Sequence, residues 1–556
     1  MAKDWEDVVA EKRASQSASI PQEWLLGPDK LPPTHVLDVT HIPAQCGLFT
    51  PLELEITTSP VETLLSNLSE GKWSSVEVTT AFCKRAAVAH QLVNCLTEIF
   101  FHKALKRAAE LDEYYKRTGK TVGPLHGLPI SFKDQINVKG VETTMGYVSR
   151  VGKVAQKNAV LVEILVSLGA VPYVKTNSPQ TVMWGETMNN LFGRTSSPFN
   201  RSFTPSGSSG GEGSLVGTSF VRVRSIRGPA AYAGLYGLRS SYGRLPFAGI
   251  DDAADGQNSI KTVAGPLTTS IEGVKILVKS VIQQQPWLKD PLAARKPWNE
   301  EEYKLIDRNR GERLCFAIMW NDEITFPHPP ITRALEMAKS ALVKAGHRVI
   351  DWKPLKHIEL SRCWDDIVFS GLADDVKTDI ELSGEPLIEH MALEGQTPES
   401  YRKLPAESKS AYEVWQAQKR QRTLREEYLQ HWNETVSSTG TGRAVDGIIA
   451  PVSHSAGMPH GKNYVYDYTD VWNVLDYPAL TIPVGKVDSR VDKKVPRDTF
   501  FNSRDKKVYE AYDPDVWNDA PIVIQLVGRT LEEEAVVAMS EIVDAALKSA
   551  AVDFKL

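Results

Sequence analysis

Apolar positions in the first part of the chain recur at the spacing of an α-helix. Between residues 73 and 115, apolar side chains such as Val78, Phe82 and Val88 lie about one or two helical turns apart, and glycines occur only outside this range. The pattern predicts packed helices near the N-terminus.

The next segments alternate between strand-like and helix-like patterns. Residues 128–132 form a short apolar run, residues 161–168 carry an apolar helix face that stops at Gly169, and residues 171–176 have the composition of a buried strand. A strand, a helix and a strand in this order predict a mixed α/β sheet.

The C-terminal half adds further elements of both kinds. Three apolar runs have the length of buried strands: residues 447–451, 479–484 and 521–527. A closing helix is predicted over residues 531–548. Residues 299–313 and 397–425 are charged and are predicted to form solvated helices.

Size and charge restrict the functional classes. At 556 residues and 42% hydrophobic content the chain can bury a large core, either as several domains or as one unusually large sheet. The net charge is −5 and no basic block occurs. A nucleic-acid groove therefore has no electrostatic basis here, and we expect no nucleic-acid partner.

The cysteines and the hydropathy of the chain indicate the cellular compartment that we expect. The five cysteines are odd in number and lack the spacing of a metal site, so we expect no metal and a reducing cytoplasm. The start of the chain is acidic where a signal peptide is basic. The most apolar stretch, residues 161–174, contains Glu163 and is shorter than the roughly 20 residues that span a bilayer, so we expect no membrane anchor.

The candidate chemistry lies in three segments in the middle of the chain. Lys133 ends an apolar run, which would withdraw its ammonium from water and favour the neutral base. A Gly/Ser-rich knot follows at residues 206–213, and Ser225 precedes a segment with Pro229 at the first turn of a predicted helix. A neutral lysine, a relay hydroxyl and an attacking hydroxyl are a complete set for nucleophilic acyl transfer.

The residues alone leave alternatives open for two of these segments. The glycines of the knot permit a tight turn around a hydroxyl, but a flexible linker has the same composition. Ser225 is placed for attack beside a helix N-terminus, which favours negative charge, but an N-cap serine without a catalytic role has the same pattern.

Several runs together make the sequence similar to the amidase signature family, and within it to the fungal acetamidases. The runs are Pro124-Leu-His-Gly-Leu-Pro-Ile-Ser-Phe-Lys-Asp134, Val174-Lys-Thr-Asn-Ser-Pro-Gln180, Asn190-Leu-Phe-Gly-Arg-Thr195, the knot, residues 225–237, Gly447-Ile-Ile-Ala-Pro451, Asp476-Tyr-Pro-Ala-Leu-Thr-Ile-Pro483 and Gln525-Leu-Val-Gly528. They extend over about residues 50 to 550, so the resemblance is nearly chain-wide.

The resemblance implies an α/β fold, a single large domain over residues 51–550 with a central twisted mixed sheet covered by helices on both faces, and an N-terminal helical or extended arm over residues 1–50. It implies a Ser-cisSer-Lys triad in which Lys133 is the base, Ser208 the bridging serine in a cis peptide and Ser225 the nucleophile. The substrate would be a small-molecule amide, hydrolysed to acid and ammonia or amine through an acyl-enzyme, without a cofactor.

Substrate contacts are also implied by the resemblance. Val182 falls where relatives line the substrate pocket, and Ser208, Arg222, Val223 and Arg224 are the other expected substrate contacts. Relatives build an oxyanion hole from a longer, glycine-containing segment before the nucleophile, at the position of Arg222, Val223 and Arg224 here. Because this chain is shorter there and lacks both glycines, impaired turnover or a catalytically inactive amidase-fold protein is an alternative.

Other functional classes remain as alternatives. Residues 207–211 match the G-x-S-x-G pattern of an α/β-hydrolase esterase, with Ser209 as nucleophile and Asp446 with His454 or His460 as partners. An amidotransferase subunit would need partner chains, and a phosphate-binding loop would need a Lys-Ser or Lys-Thr pair after the glycines. A homodimer is one assembly that the sequence leaves open.

Overall fold

The computed structural model describes residues 3–215, 219–223, 225–388, 408–462 and 467–553. The helices in this part of the chain are α1 (Trp5–Ala18), α2 (Ile42–Gln45), α3 (Pro51–Thr58), α4 (Val61–Ser69), α5 (Ser75–Val93), α6 (Phe101–Thr118), α7 (Val160–Ser167), α8 (Gly210–Leu215), α9 (Arg227–Ala233), α10 (Ile271–Gln283), α11 (Glu300–Tyr303), α12 (Pro329–Lys344), α13 (His357–Val368), α14 (Leu372–Ser383), α15 (Ala411–Glu434), α16 (Val436–Thr439), α17 (Asp467–Leu475), α18 (Ser503–Ala511) and α19 (Glu533–Asp553).

The strands build two larger sheets and two short ribbons. They are β1 (Leu96–Ile99), β2 (Pro129–Lys133), β3 (Val171–Thr176), β4 (Met188–Asn189), β5 (Gly193–Arg194), β6 (Phe203–Thr204), β7 (Ser219–Val223), β8 (Tyr236–Arg239), β9 (Ala264–Gly265), β10 (Leu267–Thr268), β11 (Cys315–Ile318), β12 (Arg348–Asp351), β13 (Gly447–Pro451), β14 (Met458–Pro459), β15 (Ala479–Lys486) and β16 (Pro521–Val527). The orders are β1-β3-β2-β7-β9 and β10-β8-β15-β16-β13-β11-β12, and β6 pairs with β14 and β4 with β5.

The two larger sheets meet at consecutive strands, because β9 and β10 are separated only by Pro266, whose carbonyl accepts from Leu238 N at 3.2 Å. Both sheets are mixed, with parallel pairs β2–β3, β2–β7, β11–β12 and β11–β13 beside antiparallel ones. The fold is the predicted α/β class with a mixed sheet.

Side-chain alternation along the strands shows that both sheet faces are covered. On β13, Ile448 and Ala450 belong to a buried cluster with Tyr428 of α15 and Trp472 of α17. Ile449, between them in sequence, belongs to the other large cluster with residues of α12 and α19. Because successive strand side chains point to opposite faces, helices pack on each side of the sheet, as expected from the sequence.

The N-terminal helix α1 lies against the main body. Arg13 donates to the carbonyls of Leu191 and Asn190 at 2.8 and 2.9 Å. Lys12 forms ion pairs with Glu98 and Glu142 at 2.6 and 3.1 Å. Helix α1 is thus joined by polar contacts to residues that follow it far along the chain.

Two sequence predictions need correction. The helical region 73–115 is interrupted by β1, four residues that pair with β3 between α5 and α6. The charged region 299–313 contains only the short α11 and a 3-10 segment, Ile306–Gly311, with Asn309 and Arg310 in left-handed conformation. Of the predicted helix 397–425, residues up to 407 lie outside the described chain, and residues 411–425 belong to α15.

None of the helices in the described part of the chain has both the length and the apolar character needed to span a membrane.

Candidate active site

Parallel pairing brings the ends of three strands to one edge of the sheet. β2 lies between β3 and β7 and is parallel to both, so their carboxyl ends share an edge, where sites in α/β sheets commonly lie. Lys133 is the last residue of β2, and Ser225 follows β7 by two residues. All five residues of β2 are buried, as the apolar run 128–132 predicts for a central strand.

Lys133, Ser208 and Ser225 form a continuous polar chain at this edge. Lys133 Nζ donates to Ser208 Oγ at 2.8 Å, and Ser208 Oγ lies 3.5 Å from Ser225 Oγ. The peptide bond between Gly207 and Ser208 is cis. Lys133 and Ser208 are fully buried, whereas Ser225 is exposed and has a left-handed φ of 51°. The chain of atoms therefore runs from the interior to a hydroxyl that an external substrate can reach.

A buried glutamate fastens the Gly/Ser knot to the two neighbouring strands. Glu212, in α8, accepts hydrogen bonds from Ser131 Oγ of β2 at 2.8 Å and from Thr176 Oγ1 of β3 at 2.7 Å. All three side chains are shielded from solvent. Because α8 begins two residues after Ser208, these bonds fix Ser208 relative to Lys133.

Thr187 and a close backbone approach complete the attachment of the knot. Thr187 Oγ1 accepts from Gly210 N at 2.9 Å and donates to the Ser206 carbonyl at 3.0 Å. Gly211 packs so tightly against the residue after β3 and the residue before β1 that an added Cβ would lie within 2.6 Å of the carbonyl oxygens of Asn177 and Cys95. The glycines thus serve a packed turn, and the linker alternative is wrong.

Asp134 anchors the chain directly after Lys133. Its carboxylate accepts from Thr97 Oγ1 at 2.8 Å, from the backbone and hydroxyl of Thr144, both at 2.9 Å, and from Met145 N at 2.5 Å. The side chain is fully buried. These bonds hold the end of β2, and therefore the backbone of Lys133, in one position.

A second buried lysine lies behind this anchor. Lys175 Nζ donates to the Glu142 carbonyl at 2.7 Å and to Thr143 Oγ1 at 2.8 Å, and lies 3.9 Å from Asp134 Oδ1. Burial lowers the pKa of Lys175, although the negative charges of Asp134 and Glu98 oppose that effect. Lys133 donates to a hydroxyl of the Gly/Ser knot, whereas Lys175 donates to Glu142 and Thr143, which lie outside the knot.

Val182 lies in a cluster of buried apolar side chains. The cluster contains Met145, Tyr147, Ala253, Leu372 and Val376. Val182 is buried and has a φ of 56°, an outlier for a β-branched residue, of the kind that concentrates at functional sites.

The segment before Ser225 is a strand. β7 runs to Val223, with Arg222 and Val223 opposite Gly265 and Ala264 of β9, and Arg224 lies outside the described residues. Their expected contacts with substrate stay predictions.

Arg227, at the start of α9, has neutral partners. Its guanidinium donates to Gln525 Oε1, the Thr469 carbonyl and Asn473 Oδ1 at 2.8 to 3.0 Å. Burial, together with the nearby positive charge of Arg239, lowers the pKa of Arg227 to about 9. The hydrogen bonds compensate for part of the cost of burying this cation.

The esterase alternative lacks support from the geometry. Ser209 is fully buried directly before α8. Asp446 accepts from Cys315 N at 2.8 Å and lies 3.6 Å from Arg308 Nε. His454 packs against the ring of His328, with ring centroids 5.5 Å apart. His460 Nδ1 lies 2.6 Å from Glu186 Oε1, so all three partners proposed for Ser209 are engaged elsewhere.

Sequence reasoning missed Glu212, Thr187 and Asp134 as parts of the site. Glu212 and Asp134 carry one signal, since each is a carboxylate inside an otherwise apolar or glycine-rich run, where a charge requires partners. Thr187 carries no such signal in the sequence, because its hydrogen-bond partners are backbone groups of a turn that is distant along the chain.

Comparison with known proteins places this arrangement in a family. The amidase family model matches residues 77–537. The chain belongs to the amidase signature family. An acetamidase of Aspergillus oryzae is 40% identical over 549 residues, which cover 97% of this chain and 98% of the relative. An acetamidase of Emericella nidulans is 40% identical over 551 residues, with 97% and 98% covered.

A solved structure shows the same amidase fold. A fatty acid amide hydrolase superimposes with a TM-score of 0.86 at 31% identity, over 98% of this chain and 95% of that one. The amidase signature assignment therefore holds across the whole fold, and the family and its relatives support an enzyme that hydrolyses amides.

Proposed function

We propose that this amidase cleaves a carboxylic acid amide through Ser225, with Lys133 as the base and Ser208 as the proton relay. The observation that carries the proposal is the chain of three polar atoms, with Lys133 Nζ 2.8 Å from Ser208 Oγ and Ser208 Oγ 3.5 Å from Ser225 Oγ. Only the last of the three side chains is exposed.

The proposed reaction has two halves. Neutral Lys133 takes a proton from Ser208, Ser208 takes one from Ser225, and Ser225 Oγ bonds to the amide carbon. The C–N bond then breaks, and the leaving nitrogen receives the proton returned by the same path. Water attacks the resulting ester, releases the acid and restores the Ser225 hydroxyl.

Short aliphatic amides are the proposed substrates. Two relatives that are 40% identical over nearly the whole chain are named acetamidases. The buried cluster around Val182 offers an apolar wall for the acyl group, which gains free energy when it leaves water.

We propose that the oxyanion is stabilised by backbone N–H groups of Arg222, Val223 and Arg224, and that this segment limits turnover. β7 is paired with β9 as far as Val223, and neither of the two residues before Ser225 is glycine. Loss of one oxyanion donor typically costs about 100 to 1000-fold in kcat. If this segment provided no oxyanion donor, the chain would be an amidase-fold protein without turnover.

The test is ammonia release from acetamide and from longer aliphatic amides. We expect activity in the wild-type chain and a loss of at least roughly 1000-fold in Lys133→Ala, Ser208→Ala and Ser225→Ala. Lys175→Met is the matched control for a buried lysine and should keep the chemistry if it folds. Retained activity in Ser225→Ala would exclude the proposed nucleophile.

We further propose a cytoplasmic location. The five cysteines are all buried and free, as expected for a reducing compartment. Imaging of a fluorescent fusion tests this, and accumulation in a secretory compartment would contradict it.

A further inference from the structure

A second cluster of a serine, a histidine and a carboxylate lies outside the Lys133 site. Glu186 precedes β4, Ser196 follows β5, and His460 follows β14. His460 Nδ1 lies 2.6 Å from Glu186 Oε1, and His460 Nε2 lies 3.3 Å from Ser196 Oγ. The three side chains are thus joined in the order hydroxyl, imidazole, carboxylate.

The carboxylate decides the tautomer of the imidazole. An ionised carboxylate only accepts hydrogen bonds, so His460 Nδ1 carries the hydrogen toward Glu186. Nε2 of the neutral ring is then left with a lone pair directed at Ser196 Oγ. A hydroxyl that donates to such a nitrogen can lose its proton as it attacks an electrophile.

Glu186 is held in place and kept ionised. Its side chain is 1% exposed, Gly461 N donates to Oε2 at 2.7 Å, and Arg194 Nε lies 3.2 Å from Oε1. Burial by itself would raise the pKa of Glu186, but the hydrogen bonds from His460 and Gly461 and the nearby positive charge of Arg194 oppose burial, and the pKa is lowered.

Ser196 combines a fixed backbone with access from outside. Its N–H donates to the Val93 carbonyl at 3.1 Å, and its own carbonyl accepts from Ser214 Oγ at 2.7 Å. Ser196 is half-buried and the His460 side chain is 15% exposed, whereas Ser209 is completely buried. Ser196 and His460 are thus only partly shielded from solvent, unlike Ser209.

A purely structural role explains only part of the cluster. The pair Glu186–His460 joins the loop after β14 to the residues before β4, and this link needs no hydroxyl at Ser196. The two roles differ in one measurable property, the reactivity of the Ser196 oxygen.

We propose that Ser196 is a second activated nucleophile, independent of Ser225, that accepts an acyl or phosphonyl group from an activated ester or halide. Ser196 Oγ forms the new bond to the acyl carbon or the phosphorus. Its proton passes to His460 Nε2, and the leaving group departs with the electrons of the bond that breaks. The product is an ester on Ser196.

The experiment uses a fluorophosphonate on the full-length Ser225→Ala variant, which removes the proposed amidase nucleophile. Cleavage after arginine separates Ser196, in residues 195–201, from position 225, in residues 225–227. We expect the phosphonyl adduct on Ser196, formed about 100-fold faster than in Ser225→Ala/His460→Gln. Ser197→Ala in the same background is the matched control and should not change the rate.

An internal reference removes the dependence on variants that fail to fold. Ser202 is exposed and lies on a separate arginine fragment, residues 202–222, which also carries Ser208 and Ser209. Sequencing of that fragment assigns the label to Ser202, whose labelling measures the reactivity of an ordinary hydroxyl in the same sample. An unlabelled Ser196, or labelling no faster than at Ser202 or unchanged by His460→Gln, overturns the proposal. Because the readout is an adduct, it is separate from ammonia release, and either proposal can fail alone.

Discussion

A neutral lysine amine without access to water still needs hydrogen-bond partners, since an unpaired buried polar group would cost roughly 1–3 kcal/mol. Ser208 Oγ fills that need for Lys133 at 2.8 Å. In the proposed mechanism the same bond is the first step of the proton path. One interaction thus accounts for both the stability and the chemistry of this residue.

Glu212 offers a prediction at the residue scale. Glu212→Ala leaves the hydroxyls of Ser131 and Thr176 without their acceptor in a buried place, so we expect a loss of about 2–4 kcal/mol in the free energy of unfolding. Because Ser208 then loses its fixed position, kcat should fall about 100-fold. Urea unfolding and acetamide kinetics measure the two effects.

Glu212→Gln and Glu163→Gln serve as controls. The glutamine keeps the size and one acceptor, so it should lose less stability than the alanine variant. Glu163 pairs with Lys289 and is half exposed, so its neutralisation should have little effect. Equal stability of Glu212→Ala and the wild-type chain would show that the knot is held by other contacts.

Residue patterns in the sequence identified the three proposed catalytic side chains and failed for their supports. Lys133, Ser208 and Ser225 stand in runs with family-specific spacing. Thr187 contacts the backbone of Gly210 and Ser206, contacts that exist only once the chain has folded. The catalytic roles of Lys133, Ser208 and Ser225 remain a prediction.

Between elements, the decisive feature is the parallel arrangement of β2, β3 and β7, which directs Lys133 and Ser225 to one edge of the sheet. The strand β7 also fixes how the chain approaches Ser225. Its pairing with β9 up to Val223 leaves one residue, Arg224, between the end of the strand and Ser225.

Glycines in the segment just before Ser225 should raise the kcat. In Val223→Gly/Arg224→Gly, backbone conformations become accessible that let N–H groups turn toward the substrate oxygen, so we expect kcat for acetamide to rise about 10 to 100-fold. Steady-state kinetics measure it. Val221→Gly shortens a side chain in the same strand, at a residue paired with Phe132, and should not raise kcat. A fall in kcat for the double variant with intact folding would show that the segment already has a productive path.

The sequence predicted β2, β3, β13, β15 and β16 because they are buried apolar runs. It missed β1, since Leu96–Ile99 has only two fully buried residues and follows α5 after two residues. Residues 299–313 carry helix-forming charges, but left-handed Asn309 and Arg310 break the helix. Tertiary contacts override local propensity in both places.

Over the whole molecule, helices on both sheet faces bury histidines as neutral side chains. His357 of α13 packs against Tyr428 of α15 and Trp472 of α17, with ring centroids 6.0 and 5.7 Å apart, and its Nε2 is 3.1 Å from Tyr428 Oη. Burial lowers the pKa of His357 from 6.5 to about 3. The unfolded chain thus binds a proton at this position at a higher pH than the folded chain does.

This shift predicts a loss of stability in acid. Stability from neutral His357 is complete above the unfolded pKa and declines as the pH falls from about 6.5 toward 3. Between pH 7 and pH 5 we expect His357 to remove about 2 kcal/mol from the free energy of unfolding. Urea unfolding at both values should show a smaller decline for His357→Gln. The exposed His35→Gln should behave as wild type, and an equal decline in all three chains would exclude His357 as a source.

The most direct test of the central claim is whether Ser225 carries the acyl group during turnover. The chain is mixed with p-nitrophenyl acetate, quenched at successive times, and digested after arginine so that residues 225–227 form a separate fragment. In a Ser196→Ala background, which removes the second proposed nucleophile, the account predicts a burst of p-nitrophenolate with acetyl on Ser225, and neither burst nor adduct in Ser196→Ala/Ser225→Ala. An acetyl group on Ser209, or hydrolysis of acetamide with no acyl group ever found on Ser225, would contradict it.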